Sequence, residues 1–291
     1  MIRRAVHGVL DAQGWADGLG ELLQKVYLAV LRPVPLLKDF LHGTWLGHAL
    51  HPMVTDVAVG GLTVGIVLDL LARGTGGEQF VPGANVATLI GFAAMLGSAV
   101  TGAADYTGTY GRERRFATIH SLVMVTAAVL YLVSVLARYG YIGLNMDVAF
   151  ATAVAGYILV ALGAYIGGEV VYAFGTMVDR HAWRGGGSKW AQLEPAEFPE
   201  NAPTKAKAGA QSLVVVRRGD TLYALHDACA HAGCSLAEKG KLVGDEIECQ
   251  CHGSRYDVRT GHVARGPSTF DQPAYEVRRA DGRFEVRRRS A

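Results

Sequence analysis

Cysteine is almost missing from this chain: four among 291 residues, all between positions 229 and 251. A residue absent from the rest of the sequence is not core filler, so these four are there for their chemistry. Charge is scarce too. Lys and Arg number 28, Asp and Glu 26, and the net charge is +2. So even a balance gives no basic face for a phosphate backbone and excludes nucleic acid as a partner. The scarcity is uneven: residues 1–187 hold 12 basic and 12 acidic residues, whereas the much shorter 188–291 holds 16 and 14. A chain of this length and asymmetry reads as two domains in different solvents.

Four long apolar segments, about 47–72, 84–104, 116–138 and 148–178, lack the charged face that a helix of a soluble bundle needs. Each reaches the ~20 residues that cross a hydrocarbon core. Their glycines and alanines suit close helix packing in lipid. The basic residues set the orientation. Five lie in residues 1–40; Arg112, Arg114 and Arg115 precede the third segment; Arg180, Arg184 and Lys189 follow the fourth; the other two loops hold only Arg73 and Arg138. Eleven against two predicts that both termini of a multi-pass membrane protein lie in the cytoplasm.

Ahead of these segments, Trp15, Leu19, Leu22, Leu23, Val26, Tyr27 and Val30 recur at helical spacing, with Asp17, Glu21 and Lys25 opposite. This is an amphipathic helix expected on the membrane surface, ended by Pro33 and Pro35. The short apolar run in residues 1–10 does not make a signal peptide. Residues 1–40 are thus an amphipathic N-terminal segment and 41–180 a four-helix transmembrane domain. Residues 181–190, with Gly185, Gly186 and Gly187, form a flexible linker that would let the domain beyond it swing. From 188 to 291, strand-like runs at 212–217, 221–225, 246–249, 274–278 and 284–287, with turns at Gly219-Asp220 and Asp281-Gly282, read as antiparallel sheets.

The four cysteines fall in two stretches, Cys229-Ala-His231-Ala-Gly233-Cys234 and Cys249-Gln-Cys251-His252-Gly253-Ser254-Arg-Tyr256-Asp257. C-x-H and C-x-x-H, seventeen residues apart, each offer one thiolate and one imidazole. Two irons bridged by two sulfides need four such ligands, and two thiolates with two imidazoles is the Rieske set. Neutral imidazole donates less charge than thiolate, so such a cluster sits at roughly −150 to +300 mV rather than about −400 mV. Zinc also takes two cysteines and two histidines, but does not ask for a second cysteine pair.

Residues 188–291 resemble the Rieske [2Fe-2S] family in these ligands and in Gly233, His252-Gly253, Tyr256-Asp257, Thr260-Gly261 and Gly266-Pro267. The resemblance implies that Cys229 and Cys249 hold one iron and His231 and His252 the other, with both histidines at an exposed tip. Ala230 and Gln250 stand where the family has proline. Cys234 and Cys251 are similar to the disulfide of the high-potential, cytochrome bc-type members. Ser254 and Tyr256 match that subgroup's hydroxyls, which bond a cluster sulfide and a ligand sulfur; as plain residues they are equally a turn and a strand position. His226 and His262 read as ordinary surface or loop residues.

Residues 41–180 resemble an uncharacterised bacterial four-helix membrane family in G-H-x-x-H-P at Gly47–Pro52, in Asp69, in T-G-x-x-D-Y at Thr101–Tyr106 and in His120. His42, His48, His51, Asp56, Asp105, His120 and His181 fall toward one side of the membrane, Asp69 toward the other, and Glu169 deeper. Ionisable groups are costly in lipid, so each is a functional candidate. His51 and His120 suit haem b ligands, a quinone or proton site, or structural helix caps.

The fold expected is an α transmembrane four-helix bundle plus an all-β Rieske-type domain of antiparallel sheets. The function expected is membrane-anchored carriage of single electrons: an oxidoreductase component, not a stand-alone catalyst. It would work between a quinol or haem donor and a protein partner, among lipid and other electron-transfer proteins, within a respiratory complex. The alternative is a redox-sensing or structural subunit. A Rieske oxygenase needs a mononuclear iron in a large following domain, and only 39 residues follow His252.

Overall fold

The computed structural model describes residues 2–183 and 188–289; the three linker glycines lie outside them. The chain divides into two units: residues 1–35 with 50–176, and residues 36–49 with 177–291.

The first unit is helical. Helices α4 (Leu50–Thr75), α5 (Val81–Tyr106), α6 (Gly111–Arg138) and α7 (Met146–Tyr172) are long and apolar enough to cross a membrane. The fourth ends six residues earlier than its apolar run, because left-handed Gly175 and Met177 break it. Small residues let the helices approach. A Cβ on Gly61 would stand 2.9 Å from the Gly91 backbone, and one on Gly163 would collide with Met124 Sδ. Apolar side chains such as Val57, Val64, Ile90, Val125 and Ile158 face outward. One buried ion pair, Asp69 with Arg138, joins α4 to α6; Arg138 Nη1 also donates to Asn85 Oδ1 at 3.0 Å.

Helices α1 (Ile2–Asp11) and α2 (Trp15–Leu31) pack on the start of α6. The polar side of α2 stays partly exposed, with the side chains of Glu21 at 58% and Asp17 at 42%, but it is tied to α6 by ion pairs. Asp17 bonds Arg115 and Glu21 bonds Arg114, while Ala16, Gly20 and Leu31 are buried. Trp15, Leu22, Val26 and Val30 remain an exposed apolar stripe. Glu169 is not deep in the bundle: it accepts hydrogen bonds from Arg3 (3.0 Å) and His7 (2.7 Å) of α1.

The second unit holds two antiparallel sheets. The larger, in the order β1-β10-β9-β4-β3-β2, comprises β1 (Ala191–Gln192), β2 (Thr204–Ala208), β3 (Gln211–Arg218), β4 (Thr221–His226), β9 (Ala274–Ala280) and β10 (Arg283–Arg288). The smaller, β5-β6-β7-β8, comprises β5 (Gly240–Val243), β6 (Glu246–Cys249), β7 (Arg255–Asp257) and β8 (Val263–Arg265). Strand β3 is buried on both faces, Val214 and Val216 in one core cluster and Leu213 and Val215 in the other, and left-handed Gly219 supplies its turn to β4. The one-turn helix α8 (Leu236–Lys239) connects the sheets. Helix α3 (Pro35–His42) and the 3-10 turn Thr44–Leu46 pack with this unit. His42, His48 and His181 therefore belong with the sheets and not with the membrane helices.

Candidate iron-sulfur centre

Two turns of one design build the site. In the first, the Cys229 N–H donates to the Cys234 carbonyl and the Gly233 N–H returns to the Cys229 carbonyl, each at 2.8 Å. In the second, the Cys249 N–H donates to the Ser254 carbonyl and the Gly253 N–H to the Cys249 carbonyl, again at 2.8 Å. Both closures need a left-handed residue at the same position, and Gly233 (φ 80°) and Gly253 (φ 90°) provide it. The first turn leaves the end of β4 and the second the end of β6, so the sheets fix both. A disulfide between Cys234 and Cys251 ties them together.

Cys229 and Cys249 are free thiols, 2% and 1% exposed. The His231 and His252 rings meet edge to face with centroids 4.9 Å apart. A hydrogen bond from Cys249 holds Cys229 down to about 7, against desolvation, and the Tyr256 hydroxyl and the N–H groups of His231 and Ala232 add to it. Cys249 is pushed up by that shared bond and by burial. Burial holds His231 well below the usual histidine range; burial and then Lys38 lower His252. Two buried thiols and two imidazoles whose charged forms burial disfavours are the donor set that a [2Fe-2S] cluster requires. His231 Nδ1 is buried with no hydrogen-bond partner among the described residues, as a nitrogen reserved for a metal would be. The residues present fit the group.

Tyr256, fully buried, places its hydroxyl 3.2 Å from Cys229 Sγ. Ser254 is also fully buried and its Oγ accepts the Ser268 N–H at 3.0 Å. His231 is not at an exposed tip. It is 8% exposed, packed with Met177, Val178, Pro267 and Phe270, while Arg180 Nε donates to its carbonyl at 3.4 Å. His226 is no surface residue either: it is 5% exposed, takes the Ala228 N–H on Nδ1 and packs 4.6 Å from the ring of His181. His262 is exposed, beside Asp271.

Sequence reading missed Gln272. Its buried amide accepts the Ala230 N–H (2.8 Å) and donates to the carbonyls of His226 (2.5 Å) and Ala228 (2.8 Å), bracing the first turn. It missed Asp227 too, whose carboxylate takes the Ser235 hydroxyl and the Ala237 N–H. Neither carries a motif. In the helical unit, His51 Nδ1 lies 2.9 Å from the Ser98 carbonyl and His120 Nδ1 lies 2.8 Å from that of Gly163.

Residues 189–276 match the Rieske [2Fe-2S] domain family, and residues 47–180 match the family described as predicted membrane protein (DUF2231). Among curated proteins, the anthranilate 1,2-dioxygenase ferredoxin subunit of Burkholderia cepacia is 38% identical over 31% of this chain and 82% of its own length. Ferredoxin CarAc of Metapseudomonas resinovorans is 42% identical over 28% and 74%. The cytochrome b6-f complex iron-sulfur subunit of Chlorobaculum tepidum is 32% identical over 25% and 39%. Among solved structures, the ferredoxin of carbazole 1,9a-dioxygenase from Nocardioides aromaticivorans is 30% identical, with 35% of this chain and all of that one covered at a TM-score of 0.32. This chain belongs to the Rieske [2Fe-2S] family through residues 189–276, joined to a DUF2231 membrane-protein domain over residues 47–180.

Proposed function

We propose that this protein is a membrane-anchored electron carrier, with Cys229 and Cys249 holding one iron of a [2Fe-2S] cluster and His231 and His252 the other. Such a cluster gains and loses one electron at a time. The observation that carries the reading is the pair of matched turns presenting two buried thiols and two neutral imidazoles at one end of the sheets. Relatives named as dioxygenase ferredoxins and as a b6-f iron-sulfur subunit support electron transfer. The Cys234–Cys251 bridge and the Tyr256 hydroxyl favour the high-potential, bc-type subgroup. The donor is a quinol or haem in the membrane and the acceptor a protein.

The outward apolar side chains of α4–α7 favour lipid as their surroundings. The cytoplasmic placement of the cluster domain rests on the eleven-to-two count of basic residues. A disulfide is unusual in that compartment, and Cys251 is exposed, so a cysteine-accessibility or fusion-reporter assay at the C-terminus tests the placement.

Stopped-flow mixing of the oxidised, detergent-solubilised full chain with a quinol tests the carrier reading. Reduction within seconds supports it. A loaded cluster that neither quinol nor an NADH-linked reductase reduces on that scale points instead to a sensing or structural subunit.

A second cofactor reading attaches to His51 and His120 and names haem b. Each ring gives Nδ1 to a backbone carbonyl four residues before a glycine, Ser98 before Gly102 and Gly163 before Gly167. A Cβ on either glycine would lie about as close to the ring, 2.9 Å for Gly102 and 3.0 Å for Gly167. Repeated on both hairpins, the arrangement fixes the tautomer that leaves Nε2 as a lone-pair donor, as metal-bound histidines require. Purified protein should show a Soret band that His51→Ala and His120→Ala each remove. A fully loaded wild-type chain without that band rejects haem and leaves the quinone or structural roles.

A further inference from the structure

Leu36–Ala49 precedes the first long helix in sequence, yet packs with the sheets. Asp39, on α3, accepts the Gly266 N–H on Oδ1 at 3.0 Å and holds Oδ2 3.6 Å from Arg265 Nε. The Thr44 hydroxyl donates to the Ser268 carbonyl at 3.4 Å. Gly266 has no room for a side chain: a Cβ there would stand 2.6 Å from Thr44 Oγ1, 3.3 Å from Asp39 Oδ1 and 3.6 Å from His42 Cδ2. The loop from Arg265 to Ser268 is thus gripped at a backbone N–H, a backbone carbonyl and a side-chain charge.

The far side of the same loop reaches the ligand sulfur. The Ser268 N–H bonds Ser254 Oγ at 3.0 Å, the Ser254 and Ser268 side chains stand beside the Tyr256 hydroxyl and favour its ionised form, and that hydroxyl meets Cys229 Sγ at 3.2 Å. A serine oxygen that accepts one N–H has fewer directions left for its own proton. Fixing the Ser268 N–H therefore fixes where the Ser254 proton points. Hydroxyls aimed at a cluster or its sulfur ligands stabilise the more negative, reduced state, and their effect depends on sub-ångström placement.

We infer that Asp39 and Thr44 are positioning residues of the iron-sulfur centre, acting through the Gly266–Ser268 loop on the Ser254 and Tyr256 hydroxyls. This rests on the cluster assignment proposed above. Both residues lie outside the two regions that match known families.

The test compares the full chain in detergent with Asp39→Ala, Thr44→Val, their double variant and Asp39→Asn. Hydrogen exchange of the peptides spanning Gly266–Ser268 and an EPR-monitored redox titration are the readouts. In Asp39→Ala and in the double variant, the loop amides should exchange at least tenfold faster and the midpoint should fall at unchanged iron and sulfide content. Asp39→Asn keeps an acceptor for Gly266 and should restore most of both. Unchanged exchange, or faster exchange with an unmoved midpoint, overturns the inference, the second outcome leaving a merely structural strap. A variant that loses iron is judged on exchange, and the midpoint is then read on Thr44→Val, which removes the bond to the Ser268 carbonyl and must lie below the wild type; an unmoved value overturns the inference. Absence of the cluster signal from the wild type would defeat the ligand assignment, and the exchange arm would still read the grip on the loop.

Discussion

Replacing Tyr256 by Phe removes one hydroxyl and leaves the buried ring among Ile247, Val258 and their neighbours. The oxygen lost stands 3.2 Å from Cys229 Sγ. A hydrogen bond to a charged partner contributes about 1.5–3 kcal/mol. The sulfur carries more negative charge once the cluster is reduced, so a third to a half of that, roughly 1 kcal/mol, separates the two oxidation states. With a tenfold ratio equal to 59 mV for one electron, the midpoint should fall by about 40 mV. The assay is a potentiometric titration of the full chain followed by EPR, with thermal unfolding alongside to show that the fold is intact. In cluster-free protein the same change should raise Cys229 above its value of about 7, read from the pH dependence of thiol alkylation. An unchanged midpoint in a folded, fully loaded Tyr256→Phe protein would refute the claim that this hydroxyl donates to the ligand sulfur.

The disulfide joins residues 17 apart, and a closure of that size is worth about 2–4 kcal/mol. Cys234→Ser with Cys251→Ser should therefore bleach several-fold faster at elevated temperature, followed by visible absorbance. Asp69→Asn leaves Arg138 charged and buried, which costs about 3–5 kcal/mol; thermal unfolding of the helical signal should drop, and Asp69→Leu with Arg138→Leu should recover much of the loss. Burial pushes Asp257 up, but the Thr260 N–H and hydroxyl and the Arg259 N–H outweigh it and hold the carboxyl below 3.8. The unfolded chain then binds the proton first, so this contribution is complete above about pH 4 and fades as pH falls. Asp257→Ala should unfold more readily than the wild type at pH 7, and the difference should shrink toward pH 3.

The Rieske family was legible in the sequence alone, because its motif puts particular atoms at short spacing and cysteine occurs nowhere else. It was also enough for four helices, since lipid imposes a length and an apolarity that local composition reports. Five strands were legible as strand-like runs; β1, β7 and β8 were not, being two or three residues long, nor were Thr204–Ala208 and Gly240–Val243, which lack a run of β-branched or aromatic residues. Long-range pairing decided the rest. Asp17, Glu21 and Glu169 looked solvated or deep, yet each finds a cation more than 90 residues away. His231 looked exposed because family likeness carries no information about what covers it; Met177, Val178 and Arg180 do so here. Gln272, Asp39 and Thr44 act through backbone N–H and carbonyl groups, which every residue has and no motif marks. Which of those groups stand within hydrogen-bond reach of a given side chain is a property of the folded chain, and it is there that the surroundings of the candidate iron-sulfur centre are decided.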